Sequence, residues 1–171
     1  MTRPWMQAAV RILAFWLLAG CGYQFTGGGS LPEAVRRVSV SVLANRTAET
    51  GLENIVTNDL IYELMRGGQA EVTEPSRAQA RISGTIRSLS VDTVTHSDVN
   101  TSQERRVSVA VDLEMIGDDG RRIWQRQGIT ANETYDVGAD KIATEQNRRE
   151  ALKTLSRRLA ERVYASMTEN F

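Results

Sequence analysis

Arg106-Val-Ser-Val-Ala-Val-Asp-Leu-Glu-Met-Ile-Gly-Asp-Asp-Gly120 decides the fold. Val107, Val109, Val111, Leu113 and Met115 take every second position, and a period of two gathers them on one face of a sheet. Gly117-Asp118-Asp119-Gly120 then supplies a tight reversal. The stretch predicts a strand over about 104–116, a hairpin turn, and a partner strand from Ile123 to Ala131 with Trp124, Ile129 and Ala131 as its apolar elements. Upstream the alternation recurs, with Ala80, Ile82 and Ile86 opposed to Arg81, Ser83, Thr85 and Arg87. At Leu89, Val91 and Thr93 the parity moves from even to odd. Such a flip implies a bulge or strong twist near Ser88, or a distal half that leaves the core.

Outward from this hairpin, Val38, Val40 and Val42 alternate with serines and predict a strand over about 36–43. Thr50-Gly51-Leu52-Glu53 has the spacing of a capping box. Leu52, Ile55, Val56, Leu60, Ile61, Leu64 and Met65 follow at helical spacing, and Gly67-Gly68 closes a helix of about 51–66. Ala70-Glu71-Val72 offers a short strand, and Tyr135 to Asp140 a loop. Asn45-Arg46-Thr47 has the form of a glycosylation acceptor and is read as a plain loop. From about 142 to 167, Leu152, Leu155, Leu159, Val163 and Met167 form a second helical stripe. Arg148, Arg149, Glu150, Arg157, Arg158, Glu161 and Arg162 fall on its wet faces.

The order strand, helix, strand, strand, strand, helix predicts an α+β fold: a two-layer sandwich, with a mixed, mainly antiparallel sheet of about four strands and two helices on one face. The other sheet face carries Ser39, Ser41, Ser83, Thr85, Ser108 and Asp112, so it is either wet or docked against something polar.

The N-terminus carries an address. Arg3 and Arg11 precede the apolar run Ile12–Ala19, about half the length needed to cross a bilayer. Leu18-Ala19-Gly20-Cys21 ends that run as a lipoprotein signal, with Cys21 the lipidated residue. Residues 1–20 are thus a signal peptide, 21–34 a lipidated N-terminus and glycine-rich tether, and 35–171 a single α+β domain. Tyr23 and Phe25 alternate in the tether, as in a short edge strand. Gly22 follows the cysteine where aspartate would signal retention at the inner membrane. This favours the outer membrane, with the domain facing the periplasm.

The chain holds 21 basic and 21 acidic residues. No global positive field draws it to nucleic acid. Cys21 is the one cysteine, so no internal disulfide and no cysteine-based metal site is expected. His96 is the one histidine and is read as an exposed loop residue. No nucleophile elbow, phosphate loop or HExxH occurs. The expectation is a protein with no catalytic residues, no metal and no cofactor. Arg105-Arg106, Arg121-Arg122 and Lys141 remain as cations. Their bland role is to discourage edge-to-edge sheet pairing; their functional one is to bind phosphate.

Cys21-Gly22-Tyr23 with Leu31-Pro32, the valine strand, the Leu52–Leu64 helix, the 80–116 hairpin and the Glu145–Leu159 helix together resemble the LptE family of lipopolysaccharide (LPS) assembly lipoproteins. The resemblance covers the whole chain after Gly20. It implies an outer-membrane lipoprotein, not an enzyme, that plugs the lumen of an LptD-like β-barrel and assists its folding. It also implies contact with LPS through basic residues at the hairpin end and before the last helix. Lys141 matches the second position. The hairpin end, His96 to Gln103, carries no lysine or arginine, so Arg105 and Arg106 are the nearest candidates. The alternative is a free-standing lipid- or glycan-binding lipoprotein that faces the periplasm.

Overall fold

The structure is a computed structural model that describes residues 31, 35–94 and 103–169. The signal peptide, Cys21, the Tyr23–Phe25 strand, nearly all of the tether, and most of the 94–103 segment with His96 lie outside the described residues.

Six strands form one sheet: β1 (Arg37–Val40), β2 (Ala44–Asn45), β3 (Glu71–Val72), β4 (Ala80–Val94), β5 (Glu104–Gly117) and β6 (Arg122–Asp136). Two helices join them, α1 (Leu52–Gly67) and α2 (Lys141–Thr168). The order is β3-β1-β4-β5-β6, and β2 also borders β4. β1 pairs in parallel with β3 and β4, so the β1–α1–β3 passage is a parallel crossover. The β4–β5–β6 meander is antiparallel and supplies most of the paired residues.

The sheet has six strands where the sequence predicts about four, for two local reasons. The valine strand splits. Ser41 N–H still donates to Ile82 O at 2.9 Å and Arg46 N–H to Ile86 O at 3.0 Å. Between them Leu43 turns into the core, its N–H held by Thr57 Oγ1 at 3.1 Å, and Val42 is turned out to solvent. The sixth strand, Glu71–Val72, is the short one its sequence suggests.

The predicted parity flip is a bulge, and the distal half of β4 also leaves the core, with Val91 exposed. The β4–β5 register shifts between Ile86 and Ser88, which leaves Arg87 unpaired in the ladder and brings Leu89 opposite Val109. Val107, Val109, Val111, Leu113 and Met115 are all buried, as the period of two requires. Gly117 and Gly120 close the turn with Gly120 N–H to Gly117 O at 3.0 Å, and Gly120 takes φ 79°. β6 runs on to Asp136, which converts the start of the predicted Tyr135–Asp140 loop into strand. It carries a second bulge, where the register shifts between Val111 and Leu113 and Gly128 takes φ 66°.

Both helices cover the odd-numbered face of β5. Leu52, Val56, Leu60 and Leu64 of α1 join Leu152, Leu155, Leu159, Val163 and Met167 of α2 in one core with the sheet. Three predicted details change. The Thr50 capping box does not form: α1 starts at Gly51 in a left-handed conformation with no side-chain cap, and Glu53 accepts from Asn45 Nδ2 at 2.7 Å instead. Ile55 and Met65 lie outside the core. Arg148, Arg158 and Arg162 are not simply wet, because each reaches a partner on another element.

Candidate functional site

Strand direction gives the molecule two ends. β1, β4 and β6 start at one end and α1 and α2 finish there, at Gln79, Gly117–Gly120 and Gly67–Gly68. Leu31 belongs to that end: it is buried, and its N–H donates to Gln69 Oε1 at 2.8 Å. At the other end lie Val94, Glu104, Asp136 and the start of α2. A strand of 15 residues such as β4 separates the ends by roughly 50 Å at about 3.3 Å per residue. The tether attaches at the first end, where Arg121 and Arg122 also lie, and Arg105, Arg106 and Lys141 sit at the second.

Arg105 and Arg106 lie on β5, and strand geometry sends neighbours to opposite faces. Arg105 is in register with Thr93 and Tyr135 on the helix-covered face; Arg106 is in register with Asp92 and Thr134 on the outer face. Lys141 is the first residue of α2 and is exposed. The structure therefore brings all three to one end but divides them between two faces. Acids interleave with them, since Glu104 and Asp136 form the row beyond Arg106.

This end is braced. Asp140 caps α2, its Oδ1 accepting Ala143 N–H at 2.8 Å. Gly138 packs so closely on Ala143 and Thr144 that a Cβ there would collide with them. Arg148 forks two carboxylates at once. It donates from Nη1 and Nη2 to Glu49 at 2.8 and 3.1 Å, and from Nε and Nη2 to Glu145 at 2.9 and 3.0 Å. Those bonds hold Glu145 below the usual carboxylate range and push the Arg148 guanidinium further up. The fork ties the first turns of α2 to the loop before α1. Periodicity places Arg148 only on a polar face, and nothing in the sequence marks its long-range partner Glu49.

The outer sheet face carries mostly polar side chains. Its central rows are Ser88–Ala110–Thr130 and Ser90–Ser108–Asn132, followed toward β1 and the turn by Thr85–Asp112 and Ser83–Glu114–Gln125. Cross-strand polar contacts fix it: Asp112 Oδ1 accepts Gly128 N–H at 2.8 Å, Arg87 approaches Asp112 at 3.4 Å, and Arg122 approaches Glu114 at 3.3 Å. Ser83, Thr85, Ser108 and Asp112 take the face the alternation predicts. Ser39 shares it but is buried, in a groove of about 340 Å³ beside Pro75, Ala78 and Arg81. Among the described residues no group of three or more His, Cys, Asp or Glu could hold a metal, and no helix is long and apolar enough to cross a membrane.

The fold and this face define a two-layer α+β scaffold that presents a broad polar sheet surface. A family model described as LptE, lipopolysaccharide-assembly, matches residues 35–167, and the chain belongs to that family. It is thus a lipoprotein-family protein of LPS assembly, associated with the outer membrane and the LPS transport machinery. No curated protein sequence matches the chain. Similar solved structures share its fold. A lipoprotein B from Nitrosomonas europaea has a TM-score of 0.57 at 14% identity, over 86% of this chain and 90% of that one. A minor lipoprotein from Acinetobacter baumannii has a TM-score of 0.55 at 16% identity, over 81% of this chain and 95% of that one. A protein from Xanthomonas campestris gives 0.54 at 11% identity, over 82% and 90%.

Proposed function

We propose that this protein is lipidated at Cys21, anchored in the outer membrane facing the periplasm, and seated as a plug in the lumen of an LptD-like β-barrel, whose assembly it assists. It carries no catalytic activity of its own, and LPS meets it at the cation-bearing end through Arg105, Arg106 and Lys141. The observation that carries the reading is the outer sheet face. Its central rows hold serine, threonine, asparagine and one alanine, with no charge and no large apolar side chain. A water-filled barrel presents a polar interior. Central rows of short hydroxyl and amide side chains can hydrogen-bond to such a wall at little cost in ordered side-chain freedom. The length of the sandwich supports the same reading. With the tether at one end, the cations stand roughly 50 Å away, where a substrate moving toward the outer leaflet would pass.

Placing charge in the middle of that face tests the reading. Ser108→Glu with Asn132→Glu puts two like charges directly opposite one another on a surface the core does not use. The double variant keeps the fold by circular dichroism and loses co-purification with the barrel from outer membranes. Undiminished co-purification would remove the outer face from the interface. The same pull-down separates this reading from a free-standing binding lipoprotein, which is recovered without a barrel.

A further inference from the structure

α1 carries a second, exposed stripe. Ile55, Asn58, Tyr62 and Met65 recur at three and four residues, so they line one side of the helix. Tyr62 is 65% exposed, Met65 64% and Ile55 38%. The buried seam of the same helix is Leu52, Val56, Leu60 and Leu64, so the exposed stripe is no part of the core. Singly exposed apolar residues need no explanation, but three on one stripe form a surface.

Where the chain enters the described structure selects the occupant. Leu31 is buried and held by Gln69, two residues beyond the end of α1. Nine residues lie between Cys21 and Leu31, and the ten steps that join them reach at most about 36 Å even fully extended. Whatever holds Cys21 therefore lies within about 36 Å of Leu31, on the side of the end at which Tyr62 and Met65 form the last turns of α1. Tyrosine suits the headgroup boundary, with an apolar ring and a polar tip. Methionine adapts to irregular apolar surroundings. An amphipathic helix need sink its apolar side only about 5–10 Å to bind such a boundary.

We infer that, before the domain is seated in a barrel, the Tyr62–Met65 side of α1, with Ile55 at its rim, docks on the lipid leaflet that holds the acylated Cys21. This rests on the lipidation proposed above. Docking fixes the tilt of the domain, so the polar sheet and the cation-bearing end are presented in a defined direction and not merely kept nearby on a leash.

The experiment uses the full lipoprotein in vesicles of phosphatidylethanolamine and phosphatidylglycerol. An acylated Cys21 has no thiol, so Met65→Cys offers one site for a polarity-sensitive dye. Ile142→Cys, at the opposite end, is the control. The expected result is a blue shift with severalfold brighter emission at 65, quenched by brominated lipid, and water-like emission at 142. Water-like emission at both sites overturns the inference. Intact mass reports Cys21 acylation separately. Where the mass shows no acyl group, the same labels in a Cys21→Ser background at high lipid decide the docking face by itself: a shift at 65 alone supports it, and no shift overturns it. Tyr62→Ser in the labelled protein should reduce the shift at 65, and an undiminished shift would contradict a contact made by this face.

Discussion

The two stripes of α1 make a quantitative contrast. Leu60 is 1% exposed, packed among Leu64, Val56 and α2, whereas Met65 on the same helix is 64% exposed. Leu60→Ala removes about three methylene-sized groups at about 0.8 kcal/mol each, or about 2.4 kcal/mol of transfer free energy. The cavity left in a close-packed layer raises this to about 3–5 kcal/mol. Met65→Ala removes a similar volume from a side chain that is mostly in water already, so its cost stays within about 0.5 kcal/mol. Against a domain stability of about 5–15 kcal/mol, the first variant shows a large drop in urea midpoint and the second almost none. Equilibrium unfolding in mild detergent, followed by far-ultraviolet circular dichroism at constant slope, measures both. A cost for Leu60→Ala below about 1 kcal/mol, or equal costs for the two variants, would refute the division of α1 into a core side and a free side.

The remaining predictions concern the two ends and the sheet. Arg148→Met abolishes the double fork, lowers the thermal midpoint at neutral pH and loosens the start of α2, read as faster amide exchange over 141–148. Because hydrogen bonds from Arg148 depress the Glu145 pKa below its usual 4.5, that stabilisation is complete above the ordinary carboxylate range and is lost as pH falls through the depressed value. The wild type should therefore lose stability on acidification below about pH 4.5 more steeply than Arg148→Met, and parallel acid profiles would exclude the fork. Gly84→Ala forces a Cβ against the backbone oxygen of Asp112 and should cost about 1–3 kcal/mol, measured by the same urea titration. Replacing Arg105 and Arg106 together with alanine should weaken LPS binding with the midpoint unchanged; unaltered binding would leave them as surface charges on an interior strand, paired on both sides by β4 and β6. Cys21→Ser should remove the protein from the outer-membrane fraction, and unchanged fractionation would show that the cysteine is not the anchor.

Most of the architecture was legible because sheet periodicity is a strong signal. The odd-numbered apolar run of β5 and the even-to-odd switch near Ser88 correspond to a buried face and a bulge at 86–88. The misreadings have separate causes, and in α1 helical spacing admits a wider apolar stripe than one neighbouring layer can bury. Ile55 and Met65 satisfy that spacing yet lie on the flank of the Leu52–Leu64 seam. Val42 satisfies the strand period, but the chain leaves the ladder there so that Leu43 can reach Thr57. The Thr50–Glu53 spacing fits a capping box, but Glu53 finds Asn45, and that partner is set by tertiary contact. The candidate cations could be placed at one end from their order along the chain. Their division between two faces needs only the alternation of β5. The Glu49–Arg148 link, across 99 residues, has no local signature at all.

The central claim is that the polar outer face of the sheet meets the wall of a β-barrel. A photo-activated cross-linker at Ser108, in the middle of that face, tests it most directly in intact outer membranes. The account predicts one dominant adduct with a large outer-membrane barrel protein, and none with the barrel when the cross-linker replaces buried Leu155. Adducts at Ser108 with lipid or soluble periplasmic proteins alone, and none with a barrel, would contradict it.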